Sequence, residues 1–186
     1  MGPSHFVLLR FVIESNLIEG IHSAPGTQFF ETHFGVVQRV IARPQEFISP
    51  ITLHQSLLGW LEANAGRYRE VDVWVGPRRM PKASLVAHLM QEWESVARAL
   101  RKDAEFVPPD LRKTLAWVLH DWFLCIHPFE DGNGRVARLI LNHCRLQLGL
   151  SWHTVSESDK SEYYTRIRQY EDTTFKIQYP QVYNAE

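Results

Sequence analysis

The chain has 186 residues, 45% of them apolar, with 20 Lys plus Arg against 21 Asp plus Glu and a formal net charge of -1. That length and apolar share suit one domain with a substantial core, and the near-neutral balance offers no basic field to gather nucleic acid. Cys125 and Cys144 both stand in apolar helical patterns, where reduced, buried thiols are expected instead of a disulfide framework.

The start, Met1-Gly2-Pro3-Ser4-His5, lacks a basic stretch followed by a cleavage site, and Phe6 stands where a myristoylation signal wants Ser or Thr. A cytoplasmic protein without a membrane partner is expected. Phe6 to Leu9 and Phe11 to Ile13 form an apolar run broken by Arg10 and Glu14, too short to span a bilayer, and read as a buried or partner-facing helix. The helix continues through Ser15 and Glu19 and stops at Gly20. Ser15 and Glu19 share a helical face, and spacing alone makes Glu19 an ordinary residue before a helix cap.

Residues 21–32, with Pro25-Gly26-Thr27, are expected as a loop, and Phe34, Val37, Val40 and Ile41 predict a short helix ending before Pro44. Ser49-Pro50 predicts an N-cap and first turn, with Leu53, Leu57, Leu58 and Leu61 on the apolar face, His54 as a structural residue, and a stop near Gly66. Val71, Val73 and Val75 alternate with Asp72 and Trp74, and Gly76-Pro77 follows as a turn. On pattern, this hairpin is either a plain connection or a flap whose open edge pairs with an extended segment of a partner. A helix from about Ser84 carries Leu85, Leu89, Met90, Trp93, Val96, Ala97 and Leu100, and a linker through Pro108-Pro109 follows, with Asp110 expected to cap the next helix.

That helix places Leu111, Leu115, Val118, Leu119, Trp122, Phe123 and Ile126 at three- and four-residue spacing, and Pro128 ends it at His127. Another apolar helix runs from Val136 to about Gly149, so the stretch from His127 to Arg138 joins two helices and opens the second. The first free N–H groups of a helix attract anions. Gly132 and Gly134 allow the backbone to curl into a nest, and Asn133 tolerates the left-handed region. Arg135 and Arg138 in the first turn oppose the helix dipole by roughly 0.3 to 1 kcal/mol each, a conflict that a bound polyanion removes. Asp131 suits a divalent cation bridging phosphate oxygens, and His127 suits a general base. Taken singly, each of these residues also fits a turn or a solvated face. A zinc site drawn from His127, His143 and Cys144 lacks the paired spacing such sites use. Beyond Gly149, residues 151–158 read as a polar loop, and Tyr163, Ile167 and Tyr170 mark one more helix.

The stretch His127-Pro128-Phe129-Glu130-Asp131-Gly132-Asn133-Gly134-Arg135-Val136-Ala137-Arg138 resembles the signature of the Fic family, His-x-Phe-x-(Asp or Glu)-Gly-Asn-Gly-Arg-x-x-Arg, at every specified position. It is not a Walker loop, which needs Gly-x-x-x-x-Gly-Lys. The resemblance implies a mainly α, Fic-like helical bundle with one β-hairpin flap. It also implies a protein adenylyltransferase that moves AMP from ATP, with Mg2+, to a Ser, Thr or Tyr hydroxyl of a target protein. His127 would be the base, Phe129 the apolar anchor and Asp131 the Mg2+ ligand. Gly132, Asn133 and Gly134 would form the nest, Arg135 would contact phosphate and Arg138 the γ-phosphate. Ser15, Glu19 and Gly20 resemble the family's inhibitory helix, (Ser or Thr)-x-x-x-Glu-(Gly or Asn), which would hold the chain self-inhibited. Val71, Val73 and Val75 would form the target-docking flap. The expected division is an N-terminal inhibitory helix and loop over residues 1–29, a catalytic domain over 30–175 and a tail over 176–186. Transfer of another phosphate-containing group, removal of AMP, and a nucleotide-binding interaction module pairing through Phe6 to Ile13 are the rival readings. A homo-oligomer is left open.

Overall fold

The computed structural model describes residues 2–184, and the helices fall largely where apolar periodicity puts them. They are α1 (His5–Ile18), α2 (Gln28–Ala42), α3 (Pro50–Leu58), α4 (Ala83–Lys102), α5 (Pro109–Ile126), α6 (Asn133–Gln147) and α7 (Lys160–Tyr170). Side-chain caps start the first three. Ser4, Thr27 and Ser49 each accept a backbone N–H three residues on, filling donors that a helix start leaves free.

α5 and α6 form the centre. They pack on each other, with α1, α2 and α3 against α6 and with α4 and α7 against α5. α6 and the C-terminal half of α5 are buried nearly all round, the expected property of helices enclosed by others, whereas the first turns of α5 are exposed. Cys125 and Cys144 are free and buried, one on each central helix. The Trp93 indole N–H donates to the Leu119 carbonyl at 2.8 Å and fixes α4 on α5. After α7 a π-helical turn, Glu171–Phe175, leads into helical pieces at Lys176–Gln178 and Pro180–Asn184, and Phe175, Tyr179 and Val182 join the core. Residues 185 and 186 of the expected tail lie outside the described residues.

Local expectations need four corrections. Residues 21–32 are not all loop, because Thr27 caps α2 and starts it at Gln28. α3 stops at Leu58, well before Gly66, where Gly59 ends the helix and turns follow. Asp110 does not cap α5; it lies in the first turn behind Pro108 and Pro109, where its charge still suits the helix dipole. The strand expected over residues 71–75 shrinks to β1 (Trp74–Val75), paired antiparallel with β2 (Arg78–Arg79) in the register Trp74 to Arg79 and Val75 to Arg78. Val71 and Val73 lie before the ladder, although the Val73 carbonyl still accepts Met80 N–H at 3.0 Å.

Candidate active site

The break between α5 and α6 is forced by residue chemistry. His127 ends α5 in the left-handed region, φ 52°, and is the single non-glycine residue with positive φ among the described residues. Such a conformation is held at a cost and tends to mark function. Asn133 then staples the loop shut. Its amide oxygen accepts Phe129 N–H at 3.0 Å and its amide nitrogen donates to the Phe129 carbonyl at 2.8 Å. Asn133 is therefore a helical, buried clamp, and the left-handed residue of the turn is Gly132, φ 73°. A Cβ there would also meet Leu58 Cδ1 at 2.5 Å.

Phe129 is fully buried and stacks on His54, ring centroids 3.9 Å apart. His54 Nδ1 accepts Gly66 N–H at 2.8 Å, so its Nε2 carries the proton and donates to the Asp131 carbonyl at 3.1 Å. A histidine read as structural thus holds the loop from below.

Above the loop lies a cavity of about 210 Å³. His127, Asp131, Asn133, Gly134 and Arg138 line its floor, Trp74, Val75 and Arg78 one side, and Tyr163, Tyr164 and Ile167 of α7 another. Burial pushes His127 down to about 4, partly offset by its bond to the Leu124 carbonyl, with Arg69 and Arg78 pushing the same way as burial. Its imidazole is neutral at pH 7. Nδ1 faces the Leu124 carbonyl at 3.4 Å and must donate to it, leaving Nε2 unprotonated.

Gly134 is helical, and it is needed for close approach, not for positive φ: a Cβ there would meet Glu19 Oε1 at 2.1 Å. The Glu19 carboxylate, at the C-cap of α1, therefore lies over the N-terminus of α6 as its resident anion. It also accepts from Arg138 Nη2 at 2.6 Å. Arg138 Nε donates to Ser15 Oγ and Nη2 to the Ser15 carbonyl, both at 2.8 Å. Nη1 is buried with no hydrogen-bond partner among the described residues. Arg138 is 1% exposed and Glu19 28% exposed, so the arginine is fixed in protein while the carboxylate faces the cavity. Gly20 follows with φ 75° and turns the chain away from α1.

The two motif arginines differ. Arg135 is buried and reaches Asp131 at 3.4 Å, whereas the Asp131 side chain is 70% exposed. Among the described residues no group of three His, Cys, Asp or Glu side chains could enclose a metal. Of these residues, the open Asp131 carboxylate stands alone there as an oxygen ligand, beside the N-terminus of α6.

The scan of protein families matches the Fic/DOC family over residues 50–144. The chain belongs to the Fic/DOC family. A protein adenylyltransferase Fic of Nematostella vectensis is 32% identical over 120 residues, 64% of this chain and 27% of that protein. A Fido domain-containing protein of Dictyostelium discoideum is 32% identical over 103 residues, 55% of this chain and 69% of that protein. Among solved structures, a Fic domain-containing signaling protein of Bacteroides thetaiotaomicron superposes with a TM-score of 0.73 at 22% identity, over 89% of this chain and 72% of that one. The expected Fic-like helical bundle with one small hairpin is borne out. The chain spans about a quarter of the length of the adenylyltransferase it matches.

Several residues of this Fic site were missed in the pattern. Arg69 donates Nε–H to the His127 carbonyl at 2.8 Å. On α5, His120 donates Nδ1–H to Asp121 at 2.7 Å and accepts the Tyr163 hydroxyl at Nε2 at 2.9 Å, fixing the tyrosine that walls the cavity. Arg166 binds the other Asp121 oxygen and stacks on Trp117. A His-Asp pair at core positions of an apolar helix is a readable signal, since such residues are buried only when paired.

Proposed function

We propose that the chain transfers AMP from ATP to a hydroxyl of a target protein and that Glu19 restrains it. The observation that carries this reading is the Glu19 carboxylate lying at a helix N-terminus and on Arg138, the two places the motif reserves for phosphate. The name protein adenylyltransferase carried by relatives supports the activity.

In this reading the free amides at the start of α6 cradle the phosphates, and Arg135 adds positive charge beneath them. The neutral His127 Nε2 faces the cavity and takes the proton of the target hydroxyl. The hydroxyl oxygen bonds to the α-phosphorus, the bond to the bridging oxygen breaks, and pyrophosphate leaves. Asp131 would hold Mg2+, which when bound neutralises phosphate charge. Most of the work is positioning and electrostatics, as in other phosphoryl chemistry. With Glu19 in place Arg138 is denied to the γ-phosphate, so ATP lies turned from in-line attack. Flap residues Trp74 and Val75 would pair with the target backbone.

Intact mass measured after incubation with Mg2+ and ATP tests the reading. The Glu19→Gly chain should gain AMP, and adding His127→Ala should abolish the gain. Equal incorporation with and without His127 would overturn it.

A further inference from the structure

Arg69 sits in the irregular stretch between α3 and β1, carries no motif, and is 3% exposed. Its guanidinium bonds carbonyls alone. Nε donates to the His127 carbonyl at 2.8 Å, Nη1 to the Val71 carbonyl at 2.9 Å and Nη2 to the Pro81 carbonyl. Its own N–H donates to the Pro128 carbonyl at 2.9 Å. Residue 69 therefore grips two consecutive carbonyls of the loop that carries the base. Val71 and Pro81 stand just outside the two ends of the hairpin, so the same planar group also closes the hairpin at its root.

We infer that Arg69 is a positioning residue that locks His127 and the flap at one fixed separation, an inference that rests on reading this cavity as the AMP-transfer site. Transfer to a protein hydroxyl needs two parts in register, a base on the loop and a docked segment on the flap. Two strands of two residues have little stability of their own, so anchors set where the hairpin lies. Asp72 accepts from Ala83 N–H and from Arg79, both at 2.8 Å, and Arg78 pairs with the buried Glu171. These tie the hairpin to α4 and to the turn after α7. Arg69 alone among these anchors is bonded to the catalytic loop. Its fork suits three convergent carbonyls; a lysine ammonium, a point charge on a flexible stem, cannot hold the same geometry. Closing the hairpin would not require a bond to His127. That bond lands on the carbonyl of the one left-handed non-glycine residue, where the backbone most needs holding.

The test compares Arg69→Lys with its parent, both in the Glu19→Gly background. Because Arg69 is not among the residues lining the cavity and its bonds go to His127, Val71, Pro81 and Pro128, the Kd for Mg-ATP should stay within about threefold, while AMP incorporation falls about a hundredfold, the usual result of a misplacement near 1 Å. Amide exchange over residues 71–81 should quicken, and the His127 imidazole resonance should move in the same variant. A purely structural role would leave that resonance in place and weaken Mg-ATP binding together with the rate. Unchanged incorporation, or unchanged exchange and imidazole resonance in folded Arg69→Lys, overturns the inference. If the Glu19→Gly parent incorporates no AMP, the functional reading fails, and the exchange and resonance measurements still decide whether Arg69 couples loop and flap.

Discussion

The loop between α5 and α6 and the last turn of α1 meet at the same cavity but are built differently. The loop is held from every side, by the Asn133 clamp, by His54 stacked on Phe129 and by Arg69 on the His127 carbonyl. Glu19 reaches the site through its carboxylate alone, while α1 is retained elsewhere by Phe11, Val12 and Ile18 in the core and by the buried contact of His33 Nδ1 with Asn16 at 3.0 Å. The loop groups are thus fixed by packing, whereas Glu19, beside Ser15 on Arg138, is one carboxylate on an independently anchored helix. Changes in the loop should cost structure or chemistry, and changes at Glu19 should spare the chemistry at a smaller cost in stability.

His127→Ala should lower AMP incorporation by about 10²- to 10⁴-fold in the Glu19→Gly background, the usual contribution of general-base catalysis. Mg-ATP binding measured by calorimetry should survive, and its loss would mean that His127 builds the nest and the two regions are less distinct than described. Phe129→Ala should destabilise the fold by about 3–5 kcal/mol, read by denaturant unfolding, because the anchor under the loop is fully buried. Glu19→Gly should cost about 1–2 kcal/mol, less than Phe129→Ala, because it leaves the buried Arg138 guanidinium without its carboxylate while Ser15 still holds it. A loss approaching that of Phe129→Ala would show that the carboxylate holds α1 in place.

The flap provides a smaller effect. Since residues 73 and 80 are hydrogen bonded, the pair Trp74 and Arg79 is the kind whose N–H groups point outward. Trp74→Pro should therefore slow modification of a protein target by about fivefold, one lost edge contact being worth about 1 kcal/mol, while a Trp74→Ala control separates the indole, 60% exposed, from the N–H. Equal rates for the proline and alanine variants would remove strand pairing.

Acid should act on both regions together. Burial lowers His33 to about 3 and His127 to about 4 from an ordinary 6.5, and lowers His54 and His120 as well. Below pH 6.5 the unfolded chain takes up protons that the native chain refuses, so stability should fall as pH drops from 6.5 toward 4 and stay level above 6.5. A melting temperature that is flat down to pH 4 would contradict the neutral, buried state of these rings.

The helices and the motif loop could be read from sequence because their signals are local: three- and four-residue periodicity, Pro128 and Gly132 at the break, and Ser49-Pro50 at a start. What escaped was set by distant partners. Arg69 finds its acceptor 58 residues away at His127, and nothing around it alternates or repeats. Gly134 was assigned a turn role, whereas its lack of a Cβ serves a carboxylate 115 positions earlier, at Glu19. The strand overran because Val71 and Val73 alternate like sheet residues, yet with only one neighbour strand the ladder survives just beside the turn.

The central claim is that Glu19 denies Arg138 to the γ-phosphate, and comparing Mg-ATP with Mg-ADP affinity by calorimetry in the parent and Glu19→Gly chains tests it most directly. In the parent the γ-phosphate should add little, so the two nucleotides bind alike. In Glu19→Gly, ATP should bind about 10- to 100-fold more tightly than ADP, the range given by a charge-assisted hydrogen bond of about 1.5–3 kcal/mol. The same ATP-to-ADP ratio in both chains would contradict the account.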